Sequence, residues 1–378
     1  MINSEQPIYL LWIVTVVASS WLLPNRFLGG LIAGSCCFFL AIYSPWSLMA
    51  LSLITLLSGT AIQHTRHYYW SIPLVITVCI FILLLYRLLN QNTDILVNVT
   101  LLGMAFYVLR ATHLLFECYA GRQEKVTWSQ LIIWLWFLPT LQVGPIHRFR
   151  PFHQDLLRRR WDNELFTSGL ERLVFGFLKV IVLGNYLMAV KYNQWLEQFP
   201  SDSWWYHYLD SAGYGLHLYF KFAGYSDIAI GFALLLGFRI SDNFNFPFMA
   251  TDISDFWRRW HITLSSWCRD YVYLPVIAFS RQPAIAAIAS MLVLGVWHEL
   301  SIQYLLWGVW HGVGIAIYQA WSTTNLQSAL NTGWISKIWL PISGFITLNF
   351  VIFSFNFTST ASFVESVERW KILLGIGV

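Results

Sequence analysis

Apolar runs recur along this chain, each long enough to cross or nearly cross a hydrocarbon core about 30 Å thick. They fall at about residues 7–23, 27–43, 46–62, 70–89, 95–116, 166–190, 211–238, 284–298, 302–321 and 335–356. Inside lipid, every backbone N–H and C=O must be paired within the protein, so only helices or a closed barrel satisfy such runs. A barrel would show alternating segments of about 10 residues, and these runs do not alternate. With 57% hydrophobic and 11% charged residues, the pattern predicts an all-α, polytopic helical membrane protein. Roughly ten to twelve membrane segments are expected, re-entrant helices among them, in a single membrane-embedded domain over residues 1–378.

The early runs are parted by Pro24-Asn25 and Ser44-Pro45, both strong chain breakers. The second and third runs are short, so they tilt or stop short of crossing. The first residues, MINSEQPIYLLW, carry neither a basic leader region nor a small-residue cleavage site, and the first run reads as a retained span. Basic residues orient the rest, because they favour the cytoplasmic side. With the N-terminus outside, Arg26, Arg66, Arg122 and Lys125 all fall in cytoplasmic loops, while the opposite loops hold Asp94 and, at a span end, Arg87. The stretch 146–160, IHRFRPFHQDLLRRR, adds Arg148, Arg150, Arg158, Arg159 and Arg160 on that same side. Only the run 128–145 lies between, interrupted by Pro139, Gly144 and Pro145. It is predicted to dip in and return, and irregular backbone at that depth requires protein or a cavity around it.

A net charge of +4 without a soluble basic segment leaves nucleic acid no place to bind. The five cysteines, Cys36, Cys37, Cys79, Cys118 and Cys268, are odd in number and mostly lie within apolar runs. They read as packing residues, not as a disulfide or zinc framework. His64, Arg66 and His67 read as a solvated loop, and no metal site is expected. Polar, aromatic residues at 197–210, EQFPSDSWWYHYLD, suit an outer membrane interface. Lys221 and Asp227 sit inside an apolar run and could pair with each other or serve a function. The tail 358–378 ends in an apolar segment suited to a short interfacial helix.

Two polar islands break this pattern. Asp252–Pro275 reads DISDFWRRWHITLSSWCRDYVYLP, and Trp297-His298-Glu299 follows it downstream. Charge at membrane depth costs about 2.5–3.5 kcal/mol per residue, so such residues usually line an aqueous cavity or the interface. On one helix through 252–274, Asp255, Arg258 and Arg259 would lie near His261, with Trp257, Trp260, Leu264 and Trp267 as the apolar side. An interfacial anchor and a site are both open readings of that stretch. His298 is the sharper candidate, since a buried neutral imidazole can accept a proton. His311 in WGVWHG competes with it, as does a purely structural role for either. No GxSxG elbow, P-loop or HExxH motif occurs, so no serine-nucleophile, phosphate-loop or zinc-hydrolase signature competes with these two islands.

The run FAGYSDIAIGFALLLGFRISDNFNFPFMATDISDFWRRWHITLSSWCRDYVYLP, residues 222–275, closely resembles the membrane-bound O-acyltransferase family. It looks most like the branch of bacterial alginate O-acetyltransferases, with teichoic acid D-alanylating proteins more distant. VGPIHRFRPFHQDL (143–156) and GVWHELSIQYLLWGVWHG (295–312) resemble further family segments. The likeness covers about 130–320, and the first 120 residues match only in being helical.

The resemblance implies a funnel fold in the bacterial cytoplasmic (inner) membrane. It implies transfer of an acyl group, acetyl or another short one, from a cytoplasmic thioester to a hydroxyl of an extracytoplasmic polysaccharide. The donor would be coenzyme A or acyl carrier protein thioester, with no permanently bound cofactor and an accessory periplasmic protein as a further partner. The family's catalytic His maps onto His298, and the functionally important His of its RRWH motif onto His261. Arg258, Arg259, Asp255, Trp257 and Trp260 then belong to the donor-binding funnel, and the Arg148–Arg160 patch would attract phosphates or an acidic carrier. Glu299 departs from the glycine usual in the polysaccharide-acetylating branch, which bears on the acceptor more than on the reaction. Acyl transfer to a lipid, protein or small molecule is the alternative within this chemistry. A transporter or flippase without acyl chemistry, and a subunit conducting substrate for a partner enzyme, are the alternatives outside it.

Overall fold

The structure, a computed structural model, describes residues 6–64, 70–91, 101–123 and 126–376. Among these residues every regular element is helical. In chain order the helices are α1 (Gln6–Leu22), α2 (Leu28–Tyr43), α3 (Pro45–His64), α4 (Ser71–Gln91), α5 (Met104–Tyr119), α6 (Trp128–Leu135) and α7 (Phe149–Arg158). Then α8 (Asn163–Phe177) continues through a wider, π-wound stretch Leu178–Tyr192 into α9 (Asn193–Leu196), followed by α10 (Trp204–Leu235). Last come α11 (Ile253–Arg259), α12 (Ile262–Cys268), α13 (Leu274–Ser280), α14 (Pro283–His298), α15 (Ile302–Ser322), α16 (Asn325–Leu330), α17 (Ile335–Thr358) and α18 (Phe363–Leu373).

Among the described residues, six stretches are long and apolar enough to cross a membrane: Asn25–Tyr43, Pro45–His64, Ser71–Leu89, Asn163–Leu196, Trp204–Leu235 and Ile335–Thr358. Leu11–Leu22 and Pro283–His298 are shorter apolar helices. Phe81, Val174 and Phe345 stand 61–67% exposed on such helices, a surface that lipid covers and water would not tolerate. The expected start of a span at 95 lies outside the described residues, as do Arg66, His67, Asp94, Lys125 and positions 1–5.

By contacts the chain falls into two compact units. The first comprises residues 1–176 and 225–242. Its centre is aromatic: Phe137, Phe152 and Phe238 meet at 4.7–5.0 Å, beside fully buried Trp134. The run 128–145 is broken as expected, and its physical cause is visible. Thr127 and Gln130 form a capping box that starts α6 by satisfying two orphan N–H groups. The helix ends after two turns, Leu138–Thr140 forms a tight turn, and Gly144 takes φ +140. The two flanks of the run then meet. Arg150 bonds the Gln123 side chain at 3.2 Å and the Arg122 carbonyl, and Gln130 bonds His153 at 2.8 Å.

Within this unit Asp227 is held by Arg172 at 2.5 Å, so the carboxylate that a Lys221 pairing would have used is already taken. A buried carboxylate without such a partner would be costly.

The second unit comprises residues 177–224 and 243–378. Its tightest packing is α14 on α15. A Cβ on Gly308 would sit 2.7 Å from the Met291 carbonyl oxygen, and one on Gly312 would sit 2.7 Å from Ile288 Cα. Small residues four apart let two helix backbones touch in this way. Within the segment 197–210, α10 begins at Trp204. Ser203 Oγ accepts the Tyr206 N–H at 3.1 Å, a cap that lets the aromatic residues start the helix. The tail forms the expected short helix, α18, with Ser362 capping its first turn.

Candidate active site

The single helix expected over 252–274 is interrupted. α11 stops at Arg259, Trp260 turns extended, and His261 adopts φ +45, ψ +52 before α12 begins. A non-glycine residue there costs about 1–2 kcal/mol, and the cost is met by the segment 243–245. Asn245 N donates to the Arg259 carbonyl and Ile262 N to the Asn243 carbonyl, both at 2.9 Å. Asn243 Oδ1 accepts from Thr263 N at 3.3 Å and Thr263 Oγ1 at 2.9 Å. That fixes the amide, so His261 Nδ1, 3.1 Å from the same oxygen, carries the proton and donates. Nε2 is left as an acceptor, buried and without a partner among the described residues.

The break changes which residues share a face. His261 is buried at 1% exposure together with Trp257, Trp260, Leu264 and Trp267. Asp255, Arg258 and Arg259 stay together on their own: Arg259 Nε lies 2.8 Å from Asp255 and Arg258 Nη2 3.5 Å from it. The expected grouping of these charges with His261 is thereby corrected. The His261 ring packs edge-on against Phe222 at 4.6 Å and Trp297 at 6.0 Å. Burial first, and the nearby His298 second, hold its imidazole well below the ordinary histidine range, so it is neutral.

His298 ends α14, and Glu299 turns extended immediately after it. Its ring stacks on Tyr304 at 5.6 Å and meets Trp307 edge-on at 5.6 Å. Both partners come from the first turns of α15, brought up by the glycine contact between the two helices. His298, Tyr304, Trp307, His311, Trp257 and Trp260 line a pocket of about 90 Å³. Glu299 is exposed.

A larger cavity of about 560 Å³ lies in the same unit, with Ile253, Gly314, Ile317, Trp339 and Phe350 on its mainly apolar wall and Asp252, Gln327, Asn331 and Ser336 among its polar groups. The two cavities share three helices. On α11, α15 and α17, Ile253, Gly314 and Phe350 face the larger one, while Phe256, His311 and Val351 face the smaller. Phe350 stands perpendicular to His311 with ring centres 5.6 Å apart. At that point the wall is one pair of rings thick.

Comparison with known proteins places this arrangement. The pattern of MBOAT, the membrane-bound O-acyltransferase family, matches residues 42–357. The chain belongs to this family. It is similar to the probable alginate O-acetylase AlgI of Pseudomonas fluorescens, 33% identical over 255 residues, 65% of this chain and 50% of that one. It is also similar to the teichoic acid D-alanyltransferase of Bacillus subtilis (strain 168), 28% identical over 283 residues, 71% of this chain and 69% of the other. The peptidoglycan O-acetyltransferase of Helicobacter pylori is 31% identical over 247 residues, 64% of this chain and 45% of that protein. The chain thus spans about half the length of its alginate-type relatives. It is a multi-pass membrane protein with bacterial relatives.

Within this family member, Trp257, Trp260 and His298 share one pocket. His261 is adjacent through Trp297, and Arg258 and Arg259 line neither cavity. Residue patterns did not point to Asn243, Tyr304 or Phe350. Tyr304 and Trp307 are three apart on α15, a spacing that marks a shared face; Asn243 and Phe350 carry no such signal. Among the described residues, no three His, Cys, Asp or Glu side chains gather as metal ligands do.

Proposed function

We propose that this chain is an O-acyltransferase that moves a short acyl group from a cytoplasmic thioester to a hydroxyl acceptor outside the bacterial cytoplasmic membrane, and that residues 1–378 act as one membrane-embedded domain. The observation that carries this reading is His298 in its aromatic pocket, one ring pair away from a large apolar cavity. The cavity suits the acyl-bearing arm of a coenzyme A or carrier-protein thioester, and the small pocket suits the acceptor. His298 takes the proton of the acceptor hydroxyl. The oxygen attacks the thioester carbonyl, the C–S bond breaks, and the imidazolium returns the proton to the leaving thiolate. The indole and phenol rings packed around His298 keep water, the competing acceptor, away.

His261 assists as a neutral, fixed imidazole whose free Nε2 can orient donor or acceptor. Arg258 and Arg259, organised by Asp255, draw a phosphate-bearing donor or acidic carrier from solution. The relatives named for alginate, peptidoglycan and teichoic acid support a polymer as acceptor.

The test is thiol release from acetyl-coenzyme A, and separately from an acyl carrier protein thioester, with and without a hydroxyl acceptor. His298→Ala should lower acceptor-dependent release by about 10²–10⁴-fold with the fold retained. Near-normal release in that variant would sink the assignment, and movement of a substrate across the membrane with no thiol released would select a transporter instead.

A further inference from the structure

The first unit carries a polar recess that the acyl-transfer reading does not need. It measures about 460 Å³ and is lined by Arg158, Arg159, Arg160 and Arg239 with Asp155 and Asp162. Four guanidinium groups against two carboxylates leave two positive charges in excess. Both carboxylates are already engaged. Asp155 accepts the backbone N–H of Arg239 at 2.8 Å, and Asp162 accepts from the Arg239 side chain at 3.3 Å and from Leu165 N at 3.1 Å. Arg159 is 7% exposed and spends its donors on neutral groups: the Leu236 carbonyl, Asn25 and Ser20, at 2.7–3.0 Å. It brings a charge into the wall and no counter-ion with it. Arg158 and Arg160 are exposed, and neither has a side-chain partner among the described residues.

The place of the recess says what would fill it. It lies where α1 ends at Leu22, α8 begins at Asn163 and α10 ends at Leu235. Arg159 ties the end of α1 to the chain just after α10, through Ser20 and the Leu236 carbonyl, with its guanidinium 3.6 Å over the Trp21 ring. Around it stand Leu157 (73% exposed), Trp161 (52%), Phe27 (50%) and Leu22 (85%). Trp161 meets Trp21 edge-on at 5.0 Å. An unpaired pair of arginines behind a rim of exposed leucine and aromatic rings is amphipathic in the sense of a lipid: phosphate inward, acyl chains outward. Basic pockets at helix ends on the cytoplasmic side recognise anionic head groups in this way, and arginine binds phosphate through paired N–H donors.

We infer that this recess binds a phosphate ester, and that its occupant is the head group of an anionic phospholipid held by Arg158 and Arg160. The competing reading is that these arginines only mark the cytoplasmic side.

The full chain in neutral detergent is given phosphatidylglycerol or phosphatidylcholine of matched tails, and retention is read by native mass spectrometry. The wild type should keep phosphatidylglycerol in preference. Arg158→Gln with Arg160→Gln should weaken that retention roughly 10–30-fold and leave phosphatidylcholine unchanged. Equal retention of the two lipids by the wild type, or of phosphatidylglycerol by wild type and variant, overturns the site. Inorganic phosphate and coenzyme A are added in separate arms at millimolar levels. Displacement of phosphatidylglycerol by either one would assign the recess to a soluble phosphate compound and overturn the lipid. An unchanged unfolding midpoint confirms that the double variant folds, and the single Arg160→Gln replaces it if the midpoint falls. The inference is independent of acyl transfer, since thiol release is a separate readout.

Discussion

At the scale of single residues, the site turns on an asparagine. Asn243 Oδ1 takes three hydrogen bonds, two from Thr263 and one from His261, and its backbone carbonyl takes a fourth from Ile262. Together these hold His261 in the left-handed region with one nitrogen spent and the other free. Asn243→Ala removes the side-chain acceptor and strands buried donors, which costs about 1–3 kcal/mol. It should lower the thermal midpoint and cut acceptor-dependent thiol release at least as much as a loosened imidazole would, by about tenfold or more. Asn243→Asp keeps an acceptor in place and should recover much of the midpoint. Wild-type turnover in Asn243→Ala would separate His261 from the chemistry. His261 and His298 were both legible from residue type and resemblance. Asn243 was not, because it lies eighteen residues before its partner in a loop whose return is set by tertiary pairing.

At the scale of elements, the long helices were legible because length and hydropathy decide them, and the breaks were legible only where proline or glycine writes them. The run 128–145 carries Pro139, Gly144 and Pro145, and its helix ends at Leu135, just ahead of them. The stretch 252–274 carries no such mark, and its break at His261 depends on the pairing of 243–245 with 259–262. The re-entrant reading of 128–145 now has a physical basis, since Arg150 ties the exit of the segment to its entry at Arg122 and Gln123. Single cysteines replacing Arg122 and Leu157, both exposed, in a background without the five native cysteines should react with an impermeant thiol reagent from the same face of sealed vesicles. Labelling from opposite faces would make the segment a crossing and would reverse the side assigned to everything after it.

At the scale of the whole molecule, the fold commits neutral imidazole to its interior in both units. His147 in the first unit and His261 in the second lie outside the spanning helices and are 4% and 1% exposed. Burial is the first cause that holds each well below the ordinary histidine range, followed by Arg110 for His147 and His298 for His261. In the unfolded chain both take a proton near pH 6.5; in the folded chain they do not. The unfolded state therefore binds more protons on acidification, and stability present above about pH 6.5 is lost below it, at up to about 1.4 kcal/mol per pH unit for each histidine. Asp155 works the other way, because burial raises its carboxyl above the usual range and the folded state gains a proton first. That is one half-buried group against several buried histidines, so the histidines decide the sign. The thermal midpoint in detergent should hold from pH 8 to about 6.5 and then fall steadily towards pH 5.5. Replacing His147 by Gln should make the slope shallower, because one of the protons is removed from the balance. The replacement itself costs the bond to Thr140 at 3.1 Å, so the variant is compared by its slope and not by its midpoint. A midpoint independent of pH across that window would mean that these imidazoles reach water or a hidden partner, and the neutral, fixed state assigned to His261 in the proposed mechanism would fall with it.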